Sequence, residues 1–171
     1  MLYFIRHGET DYNKQGLWMG CTDIALNQQG QQQALIAANT LSSIPFDIIY
    51  TSPLKRAYLT AQSIASKQIK HPPVITLEEL RERGFGILEG APRKQPLTDN
   101  LETITGVEPK KSLVARLTRV ISLTMPKDNK KILMVSHGAV FHCLINDMHY
   151  NCRPKQNAQH IKNCILVEIF K

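Results

Sequence analysis

Nothing in the sequence approaches the roughly 20 consecutive apolar residues that a bilayer-spanning helix needs, so no helical membrane span is expected. The start of the chain has none of the charged, apolar and small-residue sections of a secretory signal; it enters a strand at residue 2. The four cysteines, Cys21, Cys143, Cys152 and Cys164, contain no C-x-x-C pair, and reduced thiols in a cytoplasmic protein are the simplest reading. There is no P-loop and no cluster of aspartates, so no metal or cofactor is expected. His142, His149 and Cys152 have helix-compatible spacings, but lone residues of these types on partly apolar helices are more often packed or surface groups than ligands.

Charge is the next constraint. The net charge is +7, and all of the excess lies after residue 90. The basic residues there (Lys110, Lys111, Arg116, Arg119, Lys127, Lys130, Lys131) are scattered over a helix and a turn without an aromatic platform. That favours a solvated face over a nucleic-acid surface. A positive field still attracts anionic, phosphorylated substrates. At 171 residues the chain fits one domain, residues 1–171, which buries about two-thirds of its unfolded surface without a disulfide or metal staple.

The apolar pattern predicts alternating strands and helices. Leu2 to Arg6 reads as a strand, residues 8–27 as a polar loop, and Asn27 as the cap of a helix running to about Leu41. The glutamine run from Gln28 to Gln33 is the polar face of that helix. After the Ile44-Pro45 break comes a strand from Phe46 to Thr51, then a helix beginning near Pro53 with Ala57, Ala61, Ile64 and Ala65 on one face. A short strand, Val74 to Leu77, precedes an aperiodic, glycine- and proline-punctuated stretch over residues 81–109, read as a long functional loop. Leu113, Leu117, Val120 and Ile121 mark a helix. A strand from Lys131 to Val135, a helix from Ala139 to about Met148 and a strand from Cys164 to Phe170 complete the chain. This alternation predicts a three-layer αβα sandwich with a mostly parallel sheet.

Three strand ends carry the chemistry. Arg6 and His7 follow the first strand, Ser52-Pro53 with Arg56 follow the second, and Ser136-His137-Gly138 follow the Lys131–Val135 run. In open α/β sheets ligands bind outside the carboxyl ends of the strands. If these three runs are neighbours, two arginines and two histidines converge in one pocket, an adjacency that sequence alone does not establish.

Taken in order, Arg6-His7-Gly8-Glu9-Thr10 with Asn13, Ser52-Pro53-Leu54-Lys55-Arg56-Ala57, Leu80-Arg81-Glu82 leading to Phe85-Gly86 and Glu89-Gly90, and Ser136-His137-Gly138 resemble the histidine phosphatase superfamily, with its phosphoglycerate mutase-like fold. The resemblance implies metal-independent phosphoryl transfer through a phosphohistidine on His7. Neutral imidazole attacks phosphorus, and flanking guanidiniums depress its pKa while matching phosphate oxygens as planar forks. Arg6 and Arg56 would supply them. Asn13, Gly20, His137 and Gly138 would complete the phosphate site, with Trp18 and Met19 either lining it or anchoring the loop. Family analogy assigns the acid and base to Glu82, since a carboxyl beside a phosphate dianion can protonate a leaving alkoxide and later take a proton from water. From the residues alone Glu78, Glu79 and Glu89 remain open alternatives.

Two features bear on the reaction. Family mutases carry a long basic, proline-rich insertion after the Glu-Gly step, whereas here only about twenty residues, Ala91 to Lys111, intervene. A phosphatase is therefore expected over a mutase, although Arg93, Lys94, Lys110 and Lys111 could hold an anionic tail. Many relatives also have an arginine where this chain has His142. The expected substrate is a small phosphorylated metabolite: a sugar phosphate, or a nucleoside-like monoester such as α-ribazole phosphate. A phosphohistidine protein is a further candidate. A non-catalytic phosphate-binding module is the contrasting reading, opposed by the intact set Arg6, His7, Arg56, Glu82 and His137.

Overall fold

The computed structural model describes residues 1–93, 99–126, 128–156 and 161–171, leaving aside the side chains of residues 99 and 100. Among these residues the strands β1 (Leu2–Arg6), β2 (Ile48–Thr51), β3 (Val74–Thr76), β4 (Ile132–Ser136), β5 (Asn151–Arg153) and β6 (Leu166–Phe170) form one sheet in the order β3-β2-β4-β1-β6-β5. Strands β3, β2, β4 and β1 are parallel, while β6 runs against both β1 and β5. No helix among the described residues is long and apolar enough to cross a membrane.

Period-two alternation divides the core. All five residues of β4 are buried. Ile132 and Met134 join Leu2 and Phe4 of β1 on one face, while Leu133 and Val135 join Ile5 of β1 and Ile49 of β2 on the other. The first face is covered by α4 (Lys110–Thr124), through Leu113, Leu117, Val120 and Ile121, and by α5 (Gly138–His142), through Val140 and Phe141. The second is covered by α2 (Gln28–Leu41), through Ala37, Ala38 and Leu41, and by α3 (Lys55–Ala65), through Ala57, Ala61 and Ile64. Continuous apolar runs are what a strand buried on both faces requires. Each fully buried Leu, Ile or Phe contributes about 1.5–3 kcal/mol of transfer free energy. The result is the expected three-layer α/β arrangement.

The register settles the adjacency that sequence left open. Strand β4 lies between β1 and β2, pairing Ile5 with Val135 on one side and Thr51 with Val135 on the other. The His7 N–H donates to Ser136 O at 3.0 Å and the Ser52 N–H to Val135 O at 3.1 Å, so the three exits leave the sheet at one level.

Differences from the sequence expectation are local. The polar loop 8–27 contains a one-turn helix, α1 (Asp11–Gln15), started by a capping box between Thr10 and Asn13. The helix expected to reach Met148 is α-helical only through His142 and continues as a wider π-type turn over Cys143–Asp147. Strand β5 was not expected, because three residues carry too little alternation to be seen. The last strand starts at Leu166 rather than Cys164, since Cys164 is held at φ 56° and spends its N–H on Arg6 O.

Helix α2 begins where expected: Asn27 accepts a hydrogen bond from Gly30 N at 2.8 Å. Its first turn lies against the backbone leaving β1, and a Cβ at Gly30 would overlap the Glu9 carbonyl just as one at Gly8 would overlap the Gly30 carbonyl. Alanine in a helix interior gains about 0.5–1 kcal/mol over glycine, whereas overpacking against fixed backbone costs about 1–3 kcal/mol. The clash wins. Gly30→Ala is therefore expected to lower the urea midpoint at unchanged m-value, and a midpoint equal to or above wild type would show that α2 can shift away from β1.

Candidate active site

The level exits place Arg6, His7 and Gly138 in one wall of a cleft of about 590 Å³, counted out to its open mouth. Asn13, Met19, Gly20, Glu82 and Arg93 complete most of the remainder. Trp18 and Phe85, also in the lining, pack with tilted rings whose centroids are 4.5 Å apart, within a small cluster that includes Leu101 and Val107. Arg56 and His137 sit directly behind the lining, each with no exposed surface.

The backbone fixes the protonation pattern of His7. Its Nδ1 lies 2.7 Å from Gly8 O. A carbonyl can only accept, so Nδ1 carries the proton and the lone pair is on Nε2. Burial holds the imidazole well below its usual pKa, and the Arg56 and Arg6 guanidiniums add to that depression. Sequence reasoning credited the arginines; desolvation is the larger cause. Asn163 Nδ2 donates to His7 O at 2.6 Å, and Gly8 N donates to Thr60 Oγ1 on α3, so the main chain on both sides of the ring is tied down.

His137, at the start of α5, faces His7 edge-on at 5.1 Å between ring centroids. Both its ring nitrogens are buried without a hydrogen-bond partner, as are the Nε atoms of Arg6 and Arg56. Burial again lowers its pKa well below the usual value, with Arg56, His7, Arg6 and Arg116 adding to the effect. Buried polar atoms without partners are uncommon in folded proteins. Four such atoms, of Arg6 in the cleft wall and of Arg56 and His137 behind it, suit an anionic group.

Arg56 is held by main-chain carbonyls, donating from Nη1 to Thr22 O and from Nη2 to Gly20 O, both at 2.8 Å. Burial brings its pKa down to about 10, which leaves it a cation at neutral pH. The carbonyls are set in place by Glu89, whose carboxylate accepts from Cys21 N, Thr22 N and Thr22 Oγ1, and from Phe85 N. Gly20 has φ 54°, and a Cβ there would overlap the Glu89 carboxylate. Arg6 donates to Ile161 O at 2.9 Å. Asn13 commits its Oδ1 to the capping box, receiving Thr10 N and Thr10 Oγ1 at 3.2 Å, which leaves its NH2 end for the cleft.

Glu82 is 9% exposed, and its carboxylate accepts from Arg83 N at 3.0 Å and from Ala139 N in the first turn of α5 at 3.2 Å. The other nearby carboxylates are elsewhere: Glu89 is consumed by the loop, and Glu78 pairs with Arg81 at 3.7 Å away from the cleft.

Residues 2–169 match the family model for the histidine phosphatase superfamily (branch 1). The chain belongs to this superfamily. It is 34% identical over 165 residues to the Bacillus subtilis protein named uncharacterized phosphatase PhoE, covering 94% of this chain and 83% of that one. It is 30% identical over 176 residues to a 2,3-bisphosphoglycerate-dependent phosphoglycerate mutase from Cytophaga hutchinsonii, covering 94% and 82%. Among solved structures, a phosphoserine phosphatase from Entamoeba histolytica, in complex with 3-phosphoglyceric acid, superposes with a TM-score of 0.73 at 30% identity, covering 96% of this chain and 87% of the other. Phosphatases and phosphoryl-transferring mutases of the superfamily thus both resemble the chain over most of its length.

Of the residues singled out from sequence, Arg6, His7, Asn13, Gly20, Glu82 and Gly138 line the cleft, with Arg56 and His137 behind it. Trp18 and Met19 are both buried anchors and lining groups. Among the cations considered for an anionic tail, Arg93 lines the mouth and stacks on Trp18 at 5.1 Å. Lys110 and Lys111 border a separate surface groove, with Lys110 paired to Asp147 at 2.7 Å. Lys94 and Lys127 lie outside the described residues. Arg116, read as part of a solvated basic face, is instead buried at 8% exposure. The signal was present: it stands three residues after Leu113 on the apolar face of α4.

The two buried imidazoles set a pH dependence. An unfolded histidine titrates near 6.5, whereas both rings stay neutral well below that value in the folded chain. Their contribution to stability is full above about pH 6.5 and falls as pH drops below it, until the depressed folded pKa of each ring is reached. Asp47 and Glu89, both shifted down on folding, add the same sign only below about pH 5. Urea unfolding between pH 7 and 5.5 is expected to show falling stability, with a shallower fall in His137→Asn; a flat wild-type profile over that window would exclude the buried neutral pair.

Proposed function

We propose that this protein is a phosphatase acting on small phosphomonoesters, with His7 as nucleophile and Glu82 as proton donor and acceptor. The observation that carries the proposal is the hydrogen bond from His7 Nδ1 to Gly8 O, which leaves Nε2 with a lone pair on a ring that lines the cleft.

In the first half-reaction Nε2 attacks phosphorus, the ester P–O bond breaks, and the leaving alkoxide takes the proton of the Glu82 carboxyl. Arg6 meets the phosphoryl oxygens from the cleft wall, and its charge, with that of Arg56 behind the lining, opposes the build-up on the transferring group. The Asn13 NH2 and the partnerless His137 ring supply further hydrogen bonds. Gly138 lines the same wall beside Arg6. In the second half-reaction the Glu82 carboxylate takes a proton from water, the water oxygen attacks phosphorus, and the P–N bond breaks to release inorganic phosphate and neutral His7. No metal ion enters the scheme.

Hydrolysis is favoured over transfer because the segment joining Gly90 to α4 is short and contributes Arg93 as its described cation in the cleft. The same Arg93, together with the mutase relative, supports a second reading: phosphoryl transfer between positions of a substrate bearing another anionic group. A panel of phosphorylated metabolites scored for phosphate release, run beside a phosphoglycerate mutase assay, separates the two. Phosphate release without interconversion is expected.

Brief incubation with a 32P-labelled monoester should trap label on the protein that survives alkali and is lost in acid, as a phosphoramidate is. His7→Asn should abolish the trapped label and lower kcat by about a thousandfold or more. Chelator treatment should leave turnover unchanged. Label retained in His7→Asn would reassign the nucleophile, and loss of turnover to chelator would add a metal to the mechanism.

A further inference from the structure

The buried cation on α4 has a partner set unlike that of a structural ion pair. Arg116 Nε and Nη2 form a two-point bridge to Glu108 Oε1 and Oε2 at 2.8 and 2.9 Å. The remaining donors all go to the segment that carries Glu82: Nη1 to Glu79 O and, at 2.7 Å, to Arg81 O, and Nη2 to Glu82 O at 3.3 Å. One planar guanidinium therefore holds three carbonyls over four consecutive residues. Its fixed fork does what a flexible ammonium cannot.

Glu108 extends the same frame. Its main-chain oxygen accepts from Arg83 Nε at 2.8 Å and its Oε2 from Gly84 N at 3.3 Å, so both residues just after Glu82 are tied to the residue that anchors Arg116. From the sheet side, Ser136 Oγ donates to Leu80 O at 2.7 Å. The Glu82 main chain, just after the single 3-10 turn Glu78–Leu80, is thus gripped between β4 and α4.

We infer that Arg116, anchored by Glu108, is a positioning residue for the proton-transfer step, fixing where the Glu82 carboxyl stands relative to the leaving oxygen. The inference rests on Glu82 being the general acid. Proton delivery demands hydrogen-bond geometry at the leaving atom, and a misplacement of about 1 Å can cost about a hundredfold. Neither Arg116 nor Glu108 lines the cleft, so their effect would pass entirely through the Glu82 segment.

The test exploits leaving-group basicity. An alkyl phosphate such as glycerol 2-phosphate expels an alkoxide that needs a proton, whereas 4-nitrophenyl phosphate expels a stable phenolate that does not. The value of kcat/KM reports phosphoenzyme formation for both. In Arg116→Lys and Glu108→Gln it should fall about tenfold or more for the alkyl ester and less than about threefold for the aryl ester, following the pattern of Glu82→Gln. Unchanged far-UV circular dichroism and urea midpoints within the wild-type transition confirm folding. Arg116→Met should show the larger effect, and if it does not fold the two conservative variants carry the result. Equal losses on both esters, or no loss on either, would overturn the inference by reducing Arg116 to a structural brace. A Glu82→Gln variant that is itself indifferent to leaving group would instead overturn the assignment of Glu82, and this inference with it.

Discussion

Two guanidiniums, that of Arg56 fully buried and that of Arg6 half-buried, stand at the carboxyl end of this sheet without a carboxylate in ion-pair contact among the described residues. Arg56 is held by the carbonyls of Gly20 and Thr22 and Arg6 by that of Ile161. A direct ion pair would satisfy each cation and cancel its field. Carbonyl dipoles orient the fork and offset part of its desolvation while leaving net positive charge directed at the cleft. The loops around the two arginines bring those carbonyls into place.

Glu89 illustrates how indirect the support is. It touches neither arginine, yet its carboxylate gathers four donors from residues 21, 22 and 85 and so shapes the turn whose carbonyls grip Arg56. Gly20, at φ 54° in the left-handed region that favours glycine, also leaves room for that carboxylate, which an added side chain would strike. On the opposite side Arg116 and Glu108 do for the Glu82 segment what Glu89 does for the Arg56 loop. In each case a charged side chain organises main chain that has no ladder of its own.

Burial, reinforced by the cations, sets the state of the imidazoles. A buried ring beside buried positive charge resists protonation, so His7 and His137 are neutral where exposed histidines would be partly charged. The bond to Gly8 O then selects which nitrogen bears the lone pair. Protonation state and tautomer are both fixed before any ligand arrives, a form of preorganisation that spares reorganisation at the moment of reaction.

The superfamily, the alternating α/β architecture and the cleft-lining set of Arg6, His7 and Glu82 were legible in the sequence. Each rests on short-range order: apolar runs of strand length, helical spacing, and motifs at strand exits. Strand β5, the one-turn helix α1 and the wide turn over Cys143–Asp147 were not, because each is too short or too irregular for periodicity to register. Likewise the grip of Glu89 on Thr22, of Arg116 on the Glu82 carbonyl, and of Asn163 on His7 joins residues 34 to 156 positions apart; only Arg116's place on the apolar face of α4 hinted at it. What the sequence by itself determined is which side chains stand at the ends of strands, since that is a matter of local pattern. What only the tertiary structure decided is that β4 lies between β1 and β2, and which carbonyls and carboxylates hold the charged groups, because strand order and long-range hydrogen bonds are properties of packing that no local pattern encodes.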